Sequence, residues 1–272
     1  MMNTKEQLVK LIDNADAIII GAGAGLSTAA GFEYGGQTFM KNFKYMFDKY
    51  GYKDMYSAGF HNFDTIEEMW AYWAKMIYLN RYSDDGKELY KRLFELVKSK
   101  NYFVITTNVD HQFQKVGFDK KRLFYMQGDY GLFQCGKACH NKTYDNEKII
   151  KDMLNNIHNH QIPTSLIPKC PICGANMTTN LRCDNLFVED EGWHQAKKRY
   201  EDFIKENANK KILFLELGVG FSTPVWIKYP FIKMTLNNKN ATYVCIDKGY
   251  IFIPEEIKKQ SLALNEDIKN VI

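Results

Sequence analysis

The chain has 272 residues, 45% hydrophobic and 25% charged, a balance that excludes disordered and fibrous classes and suits one large α/β domain or a main domain with an insert. Lys and Arg number 36 against 32 acids, and this net charge of +4 is scattered, so nothing argues for a nucleic-acid partner. No apolar run approaches the ~20 residues that span a bilayer, and Met-Met-Asn-Thr-Lys-Glu6 lacks a signal peptide's apolar core, so no membrane association and a cytoplasmic location are expected.

In chain order, Thr4-x-x-Gln7 reads as a capping box opening a helix with Leu8, Leu11 and Ile12 on one face. Ala17-Ile-Ile-Ile20, β-branched and followed by glycines, reads as a buried parallel strand. Residues 84–100 pattern as an amphipathic helix through Leu89, Leu93, Leu96 and Val97, and lead into a second strand, Tyr102–Thr106. Leu123–Met126 is a third candidate strand, 193–208 a charged helix, and Ile212–Leu217 and Thr242–Ile246 two more strands. This alternation predicts a doubly wound, parallel, Rossmann-like sheet.

Two stretches break the alternation. Residues 32–82 hold 16 aromatics in 51 positions, and residues 131–183 hold four cysteines in two close pairs with three of the six histidines. The expected organisation is a Rossmann-like main domain from 1–32, 83–130 and 184–272, with a smaller lobe made of a helical part, 33–82, and a cysteine-bearing part, 131–183.

Gly21-Ala-Gly-Ala-Gly-Leu-Ser-Thr-Ala-Ala-Gly31 follows the first strand and opens a helix. Glycines there let backbone approach a pyrophosphate, stabilised by N–H groups at the helix start; a ligand-free tight turn would use the same glycines. Cys135-x₃-Cys139 and Cys170-x₂-Cys173 supply four soft ligands for tetrahedral Zn²⁺, with reduced, metal-free thiols as the alternative. His140, His158 and His160 are alternative ligands or solvated loop residues. Four thiolates close the coordination shell, so such a zinc is structural. Cys183 and Cys245 read as buried core thiols.

Gly23-Ala-Gly-Leu-Ser-Thr-Ala-Ala-Gly31 resembles the NAD-binding loop of sirtuins, commonly written GAGISxxxGIPDF. Thr106-Thr-Asn-Val-Asp110 resembles the sirtuin TQNID segment, Gln127-Gly128 stands where sirtuins carry a catalytic His-Gly, and Gly218-Val-Gly220 resembles their phosphate-holding GTS, with Tyr229-Pro230 following. The resemblance spans roughly residues 15–250, and sirtuins carry a zinc ribbon where the cysteines lie.

Three departures bear on chemistry. Gln127 has no proton to exchange, so the base used in deacylation is missing. Glu33-Tyr-Gly-Gly36 replaces Pro-Asp-Phe-Arg, leaving Phe32, Tyr34 and Phe39 as candidates to cover the nicotinamide, with helical core packing as the default for most of the aromatic stretch. Leu181-Arg-Cys183 resembles the sirtuin LRP, but Asn185–Asp190 replaces the segment that clamps an acyl-lysine peptide. These departures resemble the macrodomain-linked sirtuins, which ADP-ribosylate a protein.

That resemblance implies an NAD-dependent protein ADP-ribosyltransferase whose target is a lipoyl carrier resembling glycine-cleavage H protein, with a macrodomain partner that reverses the modification. It places NAD across the strands' carboxyl ends in the crevice between sheet and small lobe, the pyrophosphate held by Gly23, Ala24, Gly25 and Ser27 with Gly218 and Gly220 opposite. Asp247 would bond the adenosine ribose, though a solvated Asp turn accounts for it equally. Asn108 and Asp110 would grip the nicotinamide end, while Gln127 and Arg182 position an acceptor carboxylate that needs no base. The competing readings are an atypical deacylase or NAD glycohydrolase, and a catalytically silent NAD-binding module.

Overall fold

The computed structural model describes residues 3–221 and 224–272. Its strands are β1 Ala17–Ala22, β2 Tyr102–Thr106, β3 Leu123–Tyr125, β4 Gly128–Cys135, β5 Tyr144–Asp145, β6 Met177–Leu181, β7 Ile212–Leu217, β8 Thr242–Ile246 and β9 Ser261–Leu264. The chain divides into two compact units, the first built from residues 1–31, 86–127 and 191–272, the second from 32–85 and 128–190.

The first unit is a six-stranded, wholly parallel sheet in the order β3-β2-β1-β7-β8-β9. A parallel sheet is covered on both faces, so its central strands must be apolar at every position. β1 and β7 are buried along their whole length. Alternation then sends Ile18 and Ile20 into one core with Leu8, Leu93, Val104 and Leu215, and Ala17 and Ile19 into the other with Phe103, Phe214 and Phe231. Each such side chain contributes about 1.5–3 kcal/mol on burial. β9 was not among the predicted strands, since Ser261-Leu-Ala-Leu264 is a short edge run with only Leu264 buried.

The first helix, Thr4–Asn14, begins one residue before the predicted box: Asn3 Oδ1 accepts from Glu6 N at 2.8 Å, and Glu6 Oε2 from Asn3 N at 3.0 Å. Asparagine caps better than threonine, and its partner three residues on is Glu6, not Gln7. The predicted helices at 84–100 and 193–208 are Glu88–Val97 and Glu191–Asn207.

The second unit joins a helical part to a three-stranded antiparallel sheet, order β5-β4-β6. Its aromatic-rich helices, Gly36–Tyr50 and Ile66–Ile77, bury Phe39, Phe43, Trp70 and Tyr72. Phe39 stacks on Phe43 at 5.8 Å, and Phe43 meets Tyr72 at 4.9 Å. Phe39 is thus core, not a cover for a ligand. Among the described residues no helix is long and apolar enough to cross a membrane.

Candidate active site

The predicted residues of the first unit gather where the parallel strands end. Strand order reverses between β1 and β7, the switch point at which open α/β sheets bind ligands outside their carboxyl ends. Gly23–Gly25 leave β1, Asn108–Asp110 leave β2, Gly218–Gly220 leave β7 and Asp247 leaves β8.

The loops after β1 and β7 touch backbone to backbone. Gly23 N donates to Leu217 O at 3.1 Å and Gly25 N to Gly218 O at 2.9 Å. A Cβ on Gly25 would lie 2.7 Å from Gly218 Cα, and Gly218 itself has φ +61°. Gly23, Gly25 and Gly218 therefore serve chiefly by lacking a side chain, and the amides of Gly23 and Gly25 are already engaged. Ala24 and Gly220 face solvent, and a Cβ on Gly220 would meet nothing within 4 Å. Ser222 and Thr223, just after Gly218-Val-Gly220 in the chain, lie outside the described residues.

Asn108 ties the loop after β2 to the glycine loop. Its Nδ2 donates to Gly23 O at 2.9 Å and reaches Ser27 Oγ at 3.1 Å and Tyr90 OH at 3.2 Å. A carbonyl only accepts, so the Gly23 contact sets the amide orientation and turns Oδ1 away. Ser27 Oγ donates to Asp110 Oδ2 at 2.5 Å, a charge-assisted length, and lies 2.8 Å from Tyr90 OH. Asp110, 5% exposed, also accepts Gln112 N at 3.1 Å. Ser27 is thus an internal strut, buried with its hydroxyl turned inward. Gln127 is half-buried, and its side chain has no hydrogen-bond partner among the described residues. Asp247 closes a turn by accepting Gly249 N at 2.7 Å through Oδ1.

The other predicted residues, Phe32, Arg182 and the four cysteines, belong to the second unit. Phe32 is buried, 7% exposed. Arg182 pairs with Glu189 at 2.5 Å and lies over the Phe187 ring at 4.3 Å. The four cysteines converge within that unit. Their sulfurs lie within 4.8 Å of one another, with Cys135–Cys173 at 3.6 Å and Cys139–Cys170 at 3.7 Å. Zn–S bonds of ~2.3 Å place tetrahedral ligands ~3.8 Å apart, close to those two separations, so the set is compatible with zinc. The backbone N–H of Cys139, ahead of that of Lys137, draws the Cys135 thiol down to about 6, as a metal thiolate requires. His140 is not in the set: its Nδ1 lies 3.0 Å from Cys139 Sγ and its Nε2 2.8 Å from Tyr144 OH. His160 instead stacks on Tyr45 at 4.0 Å.

Sequence reasoning missed a buried polar cluster on the other face of the sheet. Glu216, next to last in β7, pairs with Lys228, and the two side chains are 0% and 1% exposed. Tyr243 OH donates to Glu216 Oε2 at 2.6 Å, and Cys245 Sγ lies 3.3 Å from Oε1. Burial, then the Glu216 charge, pushes both the Tyr243 and Cys245 groups well above their ordinary ranges, so both stay protonated. The available signal was one glutamate inside the apolar run Ile212-Leu-Phe-Leu-Glu-Leu217. Tyr90 left no such signal, being an ordinary buried position of an amphipathic helix.

The fold matches solved sirtuins. A Sir2 structure bound to a propionylated peptide aligns over 99% of this chain and 96% of its own at TM-score 0.63 and 19% identity. Another, carrying a p53 peptide and NAD⁺, aligns over 99% and 95% at TM-score 0.61 and 18% identity. A protein ADP-ribosyltransferase of Staphylococcus aureus is 39% identical over 268 residues, 98% of this chain and 85% of that protein. The chain belongs to the sirtuin-type protein ADP-ribosyltransferases. A Fusarium oxysporum f. sp. cubense protein named probable bifunctional ADP-ribose hydrolase/ADP-ribosyltransferase is 30% identical over 231 residues, covering 80% of this chain but 38% of that protein. No family model matches. Membership makes this chain an NAD-dependent ADP-ribosyltransferase on a sirtuin fold.

Proposed function

We propose that the chain transfers ADP-ribose from NAD to a carboxylate of a lipoyl-carrier protein resembling glycine-cleavage H protein. The observation that carries this reading is the Asn108 strut at the end of β2, together with a glutamine, which has no proton to exchange, at position 127 just after β3. Bare backbone at Gly220, the exposed Ala24 and the outward Asn108 Oδ1 fit a bound dinucleotide at the switch point. When bound, NAD supplies the ADP-ribosyl group, and nicotinamide leaves with the electron pair of the broken glycosidic bond.

The chain's own residues orient and neutralise. Asn108, held by three contacts, presents Oδ1 in one direction, and Asp110 keeps that loop in place through Ser27 and Gln112. Such preorganised dipoles cost no rearrangement when charge shifts. An Asp or Glu acceptor has an ordinary pKa near 4 and is ionised at neutral pH. Its oxygen bonds the ribose carbon as nicotinamide leaves, and no proton is removed, so Gln127 has only to position groups. Arg182, a rigid bidentate donor, serves as the anchor for an anionic partner, with Glu189 as the carboxylate that an incoming one displaces. Asp247 completes the cofactor set of the first unit, as the family resemblance suggests.

Cys135, Cys139, Cys170 and Cys173 would hold one structural zinc, supported by the sulfur spacing. The paired activities in the Fusarium protein's name support a hydrolase, a macrodomain in this reading, that removes what this enzyme adds. Six free cysteines fit a reducing, cytoplasmic compartment.

The test is labelled NAD, the full-length protein and a lipoyl-carrier protein, followed by neutral hydroxylamine and mass spectrometry. Label on Asp or Glu that hydroxylamine releases is the expected result. A resistant label on Ser, Arg or Lys sinks the carboxylate acceptor. Turnover of an acetyl-lysine peptide at ordinary sirtuin rates favours a deacylase, and NAD binding without either reaction marks a silent module.

A further inference from the structure

The buried Glu216–Lys228 pair stands outside the proposed chemistry, yet it spans one particular stretch of chain. Glu216 precedes the loop after β7 by two residues, and Lys228 opens the helix Lys228–Asn237 that ends it. Burying a carboxylate and an ammonium costs several kcal/mol per ion, and their attraction repays that only with good geometry and satisfied partners. Here the partners are complete on the carboxylate side, with Tyr243 on Oε2 and Lys228 and Cys245 on Oε1. No other acid pairs with Lys228 among the described residues, and its ammonium also lies 5.2 Å from the centroid of the Phe221 ring. One cation therefore holds the end of β7, the loop at Phe221 and the start of the following helix. The helix start is fixed from another side as well, because Ile227 and Phe231 pack so closely on Gly21 of β1 that a Cβ there would collide with both. Phe221 directly follows Gly220, the solvent-facing glycine with open space where a side chain would be.

We infer that Lys228, clamped by Glu216, is a positioning residue that sets the backbone at Gly220 through Phe221 for the diphosphate of the cofactor. The inference rests on the reading of this sheet edge as an NAD site. A neutral pair of similar size preserves packing, because exchanging a buried ion pair for well-packed neutral groups is often neutral for stability. It removes the cation under Phe221, so fold and ligand affinity separate.

The experiment compares wild-type protein with Glu216→Gln/Lys228→Met, Phe221→Leu and Tyr243→Phe by thermal melting and calorimetric titration with NAD and ADP-ribose. The double variant should melt near wild type and bind both ligands at least tenfold more weakly, since both carry the diphosphate. Phe221→Leu, at an exposed residue, should shift both affinities the same way by at least threefold with melting unchanged. Tyr243→Phe removes a bond to Glu216 without touching the loop, and should lower the melting temperature while leaving affinity intact. Unchanged affinities in a folded double variant and in Phe221→Leu overturn the inference, as does an equal loss of affinity in Tyr243→Phe. If the double variant does not fold, Phe221→Leu decides alone. Wild-type protein that binds neither ligand overturns the NAD reading itself, and this inference falls with it.

Discussion

β1 and β7 run side by side for six residues each with every side chain buried, whereas β5 has two residues and buries neither. β4 and β6 are longer, but their pairing shifts register between Gly128 and Phe133, and the connecting turns put Ala138 and Gly174 at positive φ. The first unit therefore has apolar area on two sheet faces to offset its chain entropy, whereas in the ribbon β4 is buried but β5 and the turns that carry Cys139 and Cys173 are not. The four converging sulfurs join those exposed turns to the buried Cys135 and Cys170. A region of short strands and turns can reach the same order as a buried sheet if a metal supplies the free energy that burial does not.

Metal removal is the most direct way to break that comparison. A structural zinc contributes on the order of 10 kcal/mol to a fold of this kind. Chelation, or Cys135→Ser, should expose the amides of β4 and β6 to hydrogen exchange while those of β1 and β7 stay protected. Ribbon amides that remain protected in metal-free protein would show that packing alone suffices there.

The buried ion pair sharpens the contrast from the other side, because it puts charge in the unit that otherwise depends on apolar burial. Lys228→Met alone leaves Glu216 buried without its cation and should cost about 3–5 kcal/mol in urea unfolding, against about 1 kcal/mol or less for the neutral double variant. Equal costs would mean that the charge of Glu216 is relieved by other means.

Backbone contact at the switch point predicts a smaller loss. Gly25→Ala places a Cβ 2.7 Å from Gly218 Cα, where backbone must move, and overpacking of this sort costs about 1–3 kcal/mol. Denaturant midpoints measure it, and NAD affinity should fall with it. An unaltered midpoint would show that the two loops can separate freely.

The smallest effect on stability should accompany a large effect on rate. Asn108→Ala deletes a half-exposed amide with three contacts, at about 1 kcal/mol in folding. Transfer should fall by about 100-fold or more while the NAD dissociation constant stays within about tenfold, or ~1.4 kcal/mol. A variant that transfers normally removes Asn108 from the catalytic set.

Much of the sheet was legible from local pattern. Tyr102–Thr106, Ile212–Leu217 and Thr242–Ile246 form strands with the bounds read from the sequence, because a continuous apolar, β-rich run bounded by polar residues has few other places to go. The two cysteine pairs were legible for a similar reason, since spacing within each knuckle is a local property, and the sulfurs do meet. The helix start at Asn3 and the edge strand Ser261–Leu264 were not, because competing caps differ by tenths of a kcal/mol and an edge strand borrows its order from a neighbour.

Sequence alone determined which residue types stand at the ends of the strands: glycines after β1 and β7, Asn108 and Asp110 after β2, and an amide at position 127 where a base would stand. Tertiary structure decided what those residues do. Ser27 and Asp110 are 83 positions apart and meet at 2.5 Å, and Asn108 reaches back 85 positions to Gly23 O. Gly23 and Gly25 turned out to make room for Gly218 rather than to offer free amides, and Glu216 and Lys228 found each other across the loop they close. Periodicity along the chain fixes which face a side chain occupies, but the partner it meets depends on strand order and crossovers, and these are settled only when the whole sheet closes its two cores.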